Sequence, residues 1–402
     1  MSDVGSVAQL PALRLKKNED RRLNAGHAWI FSNEVDTQQT PLTRFQPGDL
    51  ARLFAHNDKA MGLVYVNPKS LICARLLNTW TLPDAKWLAA RMRHALKLRE
   101  RLYQVPFYRL VYGESDGLPG LVVDRYGEIA VVQIGTAGME CLKDEIQAAL
   151  RQVFDCRGVL FKNDSSAREL EGLASYVESG FGEIPARVSV QEDALKFEAP
   201  LIEGQKTGWF FDQAANRRNL VKYIRRGARV LDVFSYVGAW GVRALSAGAA
   251  DVVCVDSSAA ALESAQRNAV ANGGKIRELK GDAFEVLEAL LRQKEKFDVC
   301  IVDPPAFAKR KKDLPKALSA YKKLNQLAMQ LMDEGILVSC SCSYHLSAEE
   351  LQDSIAKAAR SADKQLQILE AGTQAWDHPV HPAIPETRYL KAYFCRVSEG
   401  LK

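Results

Sequence analysis

A chain of 402 residues exceeds one ordinary core and suits two or three domains, and its 47% hydrophobic and 26% charged residues describe a globular protein rather than a disordered one. With 54 Lys and Arg against 49 Asp and Glu the formal charge is only +5, so any nucleic-acid footprint must come from local clusters. No run approaches the roughly 20 apolar residues of a membrane span, the N-terminus lacks a signal-peptide core, and the eight cysteines are scattered without a short-domain framework; these features predict a cytoplasmic protein with free thiols.

Residues 1–78 carry short apolar runs broken by turn residues ("HAWIFSNEV", "PGDLARLF", "AMGLVYVNPKSLICARLL"), which predict a small β-rich domain. A basic linking helix follows, with Lys86, Arg91, Arg93, Lys97, Arg99 and Arg101 against Glu100. It opens a second region, 79–190, that reads as a small α+β module: strand, turn ("GESDGLPG"), strand ("LVVDRYGEIAVVQIG"), helix ("MECLKDEIQAALRQVF") and strand ("GVLFKND"). In the third region, 191–402, strands alternate with helices from about 228, the pattern of a parallel sheet with crossover helices. The strands are "ARVLDVF", "DVVCVD", "IRELKGD", "FDVCIVD" and "GILVSCS", with "LQILEAG" and "YLKAYFCRVS" closing the chain.

In an open α/β sheet ligands sit beyond the carboxyl ends of the strands, and here polar residues gather at those ends. The first strand runs into "LDVFSYVGAWG", where Gly238 and Gly241 permit a tight turn into a helix; the second ends at Asp256, placed to accept from ribose hydroxyls. The third ends in "KGDAF", offering Asp282 to an exocyclic amine such as that of adenine, and the fourth in "VDPPAF", whose prolines stiffen the loop behind Asp303. Neither a G-x-G-x-x-G motif nor a P-loop is present, which favours a nucleoside ligand without phosphates. Any one such acid could simply cap a helix. Three of them after a glycine-containing turn, followed by Asp-Pro-Pro, resemble the S-adenosylmethionine site of the class I (Rossmann-like) methyltransferases over residues 203–402.

The fifth strand ends in "SCSCSYHL". On a strand Cys340 and Cys342 point to the same face, where a disulfide between them would be badly strained, and no zinc-ligand spacing lies nearby, so no metal is expected. Cys340, further from the strand end, is expected to be packing. Cys342 suits another task. Carbon 5 of a pyrimidine is a poor nucleophile until a thiolate adds to carbon 6, and a neighbouring acid must then protonate or hydrogen-bond the N3/N4 edge of the base, a role that Asp303 fits. Methylation at an exocyclic nitrogen needs no thiol. Asp-Pro-Pro alone is therefore ambiguous, and Cys342 discriminates.

The chain as a whole resembles the large-subunit (23S) ribosomal RNA cytosine-5 methyltransferases of the RlmI type. The resemblance is carried by "LKKNEDRRLNAGHAWIFSNEV", similar to that family's N-terminal PUA domain, with "ESDGLPGLVVDRYG", "EGQKTGWFFDQAANRR", "FSYVGAWG", "DPPAF", "SCS" and "DHPVHPAIPETRYLKAYFCRV". It implies Cys342 as nucleophile, Asp303 as the loop acid, S-adenosylmethionine as cofactor, and cofactor contacts at Phe234, Ser235, Tyr236, Gly238, Asp256 and Asp282, with Gln213 as a further contact. Two departures stand out. Better-known RNA cytosine-5 enzymes place a second Cys after the acid loop, where this chain has Ala306, so product release needs another base, such as His378 or a water. Cys340 gains no role from the resemblance. A related branch that lacks the thiol and modifies guanine supplies an alternative reading, and a non-catalytic RNA-binding scaffold a third.

Three basic clusters could grip RNA while a base is turned out: the PUA-like domain, the helix 86–101 and "AKRKKDLPKALSAYKK". Lys309, Arg310, Lys311 and Lys312 lie closest in sequence to Asp303 and are expected to contact phosphates flanking that base. The sequence leaves open whether the chain pairs as a homodimer.

Overall fold

The structure is a computed structural model that describes residues 7–308 and 310–400. The chain folds as two compact units. The first takes in the chain up to Val188 with Pro200–Phe211 and Trp376–Thr387; the second comprises Ser189–Ala199, Asp212–Ala375 and the chain from Arg388.

Among the described residues the first unit holds two five-stranded sheets. One is built from the N-terminal region, Ala12–Arg14, Leu50–Phe54, Ala60–Val66, Ala74–Leu76 and Trp29–Ile30 in spatial order. The other runs Tyr176–Phe181, Gly158–Asn163, Ile129–Ile134, Leu121–Tyr126 and Phe107–Tyr112. Two details depart from expectation. The stretch 121–135, read as one strand, is a hairpin, because Gly127 adopts a φ of 65° and reverses the chain at "RYGE". Tyr176–Phe181 is an additional edge strand, and its largely exposed side chains hide it from a hydrophobic pattern.

The basic helix Ala85–Leu102 forms as predicted, capped by Asp84, whose side chain accepts from Trp87 N at 2.8 Å. Not all of its charges lie on one face. Arg99 is fully buried and grips Asp116 with two bonds of 2.7 Å, while Arg91 donates to Asn78 O at 2.9 Å and lies over the Trp87 ring. Lys86, Arg93, Lys97 and Arg101 remain exposed.

The second unit is built on a seven-stranded sheet among the described residues. Its strands are β1 (Arg229–Val233), β2 (Asp251–Asp256), β3 (Arg277–Lys280), β4 (Val299–Val302), β5 (Gly335–Ser341), β6 (Lys364–Gly372) and β7 (Lys391–Glu399), in the order β3-β2-β1-β4-β5-β7-β6 with only β7 antiparallel to its neighbours. Among the described residues six α-helices accompany them: α1 (Ala214–Leu220), α2 (Ala239–Ser246), α3 (Ala259–Ala271), α4 (Ala283–Arg292), α5 (Leu314–Gln330) and α6 (Ala348–Ser361). The central strands "RVLDV", "DVVCVD" and "VCIV" are largely apolar and rich in β-branched residues because both of their faces are covered. Leu231, Val233, Val253, Cys300 and Leu337 pack on one side with α4, α5 and α6; Val230, Val252, Val299, Val338 and Cys340 pack on the other with α2 and α3. The strand order reverses between β1 and β4, which opens a crevice beyond their carboxyl ends.

Candidate active site

The turn leaving β1 is the most constrained backbone of this unit. Phe234 and Tyr236 sit at φ 64° and 49°, a region that residues with side chains occupy only when their surroundings hold them there. Two hydrogen bonds hold the turn: Ser235 N donates to Val255 O at 3.0 Å, and Tyr236 N to Asp256 Oδ2 at 2.9 Å. Gly238 has a φ of 76°, and a Cβ there would lie 2.7 Å from Ala265 Cβ, so α2 can start only from glycine. The loop is thus folded back on the end of β2, with Asp256 as its anchor. Asp282, at the end of β3, is exposed, and its Oδ1 accepts from Phe284 N at 2.9 Å and Glu285 N at 3.3 Å. It caps α4, the ordinary use of a strand-end acid.

Behind this turn lies a buried acid within the strand itself, away from the strand-end motifs. Asp232 is fully buried on β1, and burial pushes its carboxyl up to about 7, although the bond from Gly241 N at 2.9 Å pulls the other way. Its Oδ1 and the buried Ser235 Oγ find no hydrogen-bond partner among the described residues. Two orphaned polar atoms beside a strained turn are what a pocket shaped for a polar ligand would show.

Asp303 stands one strand away at the end of β4. Gln213 Nε2 donates to both of its oxygens at 3.0 Å, and Trp240 Nε1 donates to Oδ2 at 3.1 Å. Burial pushes its carboxyl up to about 6; the Trp240 bond pulls it down, and the Asp212 charge pushes it further up. Gln213 is therefore occupied. Its Oε1 accepts from Asn216 Nδ2 at 2.7 Å, so both ends of the amide serve to hold Asp303 rather than reaching for a ligand. The sequence pattern does not reveal the contact of Trp240 or this use of Gln213, although Trp240 lies inside "VGAWG".

Strand β5 ends at Ser341, so Cys342 is the first residue of the loop and strand alternation does not set its direction. Cys340 is fully buried with Val338 and Phe394 on one face of the sheet. Cys342 is partly exposed, and its Sγ lies 3.9 Å from Pro304 O, on the Asp303 loop. All eight cysteines are free. On the other side of the strand end, Tyr321 OH is 2.8 Å from Ser341 Oγ and 3.2 Å from Ser343 Oγ, and Ser343 Oγ accepts from Ala308 N at 3.3 Å. This buried hydroxyl network stitches the cysteine loop to the Pro-Pro loop.

Arg310, Lys311 and Lys312 are exposed at the start of α5, where Arg310 approaches Asp313 Oδ2 at 3.6 Å. Lys309 lies outside the described residues. His378 belongs to the first unit, where it is only 2% exposed and its Nδ1 is 2.8 Å from Asp377 Oδ1. A ring so enclosed and paired is built as a structural element of that unit, not as an accessible base.

Comparison with known proteins decides the family. Residues 173–393 match the S-adenosylmethionine-dependent methyltransferase family, and residues 13–79 match a PUA-like domain. The ribosomal RNA large subunit methyltransferase I of Shewanella denitrificans is 35% identical over 398 residues, covering 96% of this chain and 99% of the relative. That of Salmonella arizonae is also 35% identical, over 400 residues, covering 96% and 98%. The chain belongs to the ribosomal RNA large subunit methyltransferase I family of S-adenosylmethionine-dependent methyltransferases. Among solved structures, SMU.776 complexed with SAH superimposes with a TM-score of 0.82 at 20% identity, over 96% of this chain and 100% of that one, a likeness of fold. The enzyme is thus a class I methyltransferase that uses S-adenosylmethionine, and the turn after β1, with its orphaned Ser235 Oγ and its Asp256 anchor, fits such a ligand. Among the described residues no helix is long and apolar enough to cross a membrane.

Proposed function

We propose that this enzyme methylates carbon 5 of a cytosine in large-subunit ribosomal RNA in the cytoplasm, with Cys342 as nucleophile and Asp303 as the acid that meets the N3/N4 edge of the base. The observation that carries this reading is the position of Cys342 Sγ 3.9 Å from the carbonyl of Pro304, the residue after Asp303, so that a thiol and a carboxyl come from the ends of adjacent strands. The names of the 35% identical relatives support ribosomal RNA as the substrate. The bound cofactor would supply an electrophilic methyl group. Cys342 as thiolate adds to carbon 6, forming a C–S bond and giving carbon 5 enamine character; once carbon 5 is methylated, a water takes the carbon-5 proton and the C–S bond breaks to restore the thiolate. Asp303, held by Gln213 and Trp240, donates to N3 as charge builds there, and its raised pKa keeps it within reach of the protonated state. Nucleoside mass spectrometry of RNA incubated with enzyme and labelled cofactor tests the reading: 5-methylcytidine is expected, and a methylated guanine would replace it with the alternative chemistry.

For the cofactor, Asp256 would accept from the ribose hydroxyls, Asp282 from the adenine amine, and Phe234, Ser235, Tyr236 and Gly238 would line the pocket. Asp256→Ala removes a charged acceptor and also frees Tyr236 N from its anchor, so S-adenosylmethionine affinity should fall by about 1–3 kcal/mol in a folded variant, as read by calorimetry. Unchanged affinity would take Asp256 out of the site.

For RNA, the exposed Arg310, Lys311 and Lys312, with Lys309, would pair phosphates beside the flipped base. Replacing the four by Gln should weaken RNA binding and flatten its salt dependence while leaving cofactor affinity alone. An identical slope of log affinity against log salt would return this turn to an ordinary solvated surface.

A further inference from the structure

The last strand of the sheet brings a half-buried cation to the loop of the nucleophile. β7 pairs with β5 so that Lys391 is the register partner of Ser341, the residue before Cys342. The Lys391 side chain does not leave for solvent. Its Nζ donates to Ser343 O at 2.7 Å and to Leu346 O at 2.6 Å, two carbonyls of the loop that begins with Cys342. A lysine has three N–H donors, and the third has no protein acceptor among the described residues. We propose that Lys391 is a positioning residue for the Cys342 thiolate: its ammonium ties the loop that carries the thiol to the sheet and presents a positive charge to Sγ.

The charges around the pair support this assignment. Burial pushes the Lys391 ammonium down to about 8, against the pull of Cys342 and then of Glu350. A cation about one pH unit above neutrality stays mostly protonated at pH 7, and it remains so where the nearest carbonyls can only accept. Glu350 is engaged elsewhere, its Oε2 accepting from Ser347 N at 2.7 Å in the cap of α6. From the other elements, Tyr321 and Cys340 lie near the thiol; burial pushes Tyr321 up to about 12 and Cys340 well above the ordinary thiol range, so both stay neutral, while an ionised Asp303 on the adjoining loop would oppose a thiolate. A partly buried thiolate is favoured by a nearby cation, which lowers the thiol's pKa. Lys391 provides that cation without becoming a substrate contact. Lost charge at this position should raise the thiol pKa and slow the addition step, whereas lost tethering should scatter the loop.

The proposal rests on Cys342 as nucleophile, but the charge effect can be read without RNA. Alkylation of the full-length enzyme by iodoacetamide, followed at the Cys342 peptide by mass spectrometry from pH 6 to 10, gives the thiol's own titration. In the parent the midpoint should lie below the ordinary value of about 8.5. Lys391→Gln should move it up by about one unit and slow alkylation at pH 7 roughly tenfold, while Lys391→Arg keeps it near the parent's. With RNA, Lys391→Gln should lower kcat while KM for S-adenosylmethionine holds. A parental midpoint at or above about 8.5, or a folded Lys391→Gln whose midpoint is unmoved, overturns the role. The first needs no variant, so it stands even if Lys391→Gln misfolds. A shifted midpoint together with failure of the parent enzyme to trap a cytosine adduct would support the charge effect and fell only the cytosine-5 reading.

Discussion

Cys342→Ser should abolish methyl transfer while leaving fold and cofactor binding intact. The hydroxyl occupies nearly the same volume at a partly exposed loop position, so packing changes little, but at neutral pH it is a far weaker nucleophile than a thiolate. The neighbouring Cys340 supplies the control: it is fully buried in the sheet core, and Cys340→Ser should cost some stability with much of the turnover retained. RNA carrying 5-fluorocytosine at the target should form a covalent complex with the parent enzyme, because fluorine cannot leave carbon 5 as a proton and the C–S bond is then not released. Peptide mass spectrometry should place the adduct on Cys342. Full turnover to 5-methylcytidine by Cys342→Ser would end the thiolate mechanism, and a methylated guanine product would install N-methylation in its place.

Asp303→Asn is the second large effect. The amide keeps the outline of the carboxyl but cannot pass a proton to N3, and kcat should fall by roughly 10²–10⁴ if Asp303 acts as general acid. The pH behaviour separates catalysis from folding. Its folded pKa of about 6 lies above the unfolded value of about 3.9, so its contribution to stability is complete below the lower value and is lost as pH rises through about 6. At pH 7 the charge is a cost to the fold, and Asp303→Asn is expected to lose activity without a lower Tm. In the parent, kcat/KM should decline as pH rises through about 6, and the variant should lack that limb. A Tm collapse would instead make Asp303 a structural partner of Gln213 and Trp240. Unchanged kcat in a folded variant would remove it from the chemistry.

Much of this enzyme was legible from its sequence, for reasons that are local. The largely apolar, β-branched-rich runs "RVLDV", "DVVCVD" and "VCIV" predict buried parallel strands because no other setting covers both faces, and the residues that follow them fall at strand ends by chain order alone. Asp256, Asp282, Asp303 and Cys342 could thus be singled out, and the resemblance carried by "FSYVGAWG", "DPPAF" and "SCS" named the family to which the comparisons assign the chain. The strand pattern failed where turns and exposure blur it: Gly127 splits one predicted strand into a hairpin, and Tyr176–Phe181 is too exposed to show as a strand.

What polar groups do was settled only by tertiary structure, because their partners are remote in the chain. Gln213 holds Asp303 from 90 residues away, Lys391 reaches the carbonyl of Ser343 across 48, and Arg99 spends its charge on Asp116 rather than on a basic face. His378 reads equally well as a base or as scaffold until its burial beside Asp377 is seen. Hydrophobic periodicity reports which side of an element faces inward, a property of neighbours in sequence. A hydrogen bond is satisfied by whichever group the fold delivers, so the sequence determined which residues stand at the strand ends of this methyltransferase, and packing decided which are held, which cap helices and which are left open to a ligand.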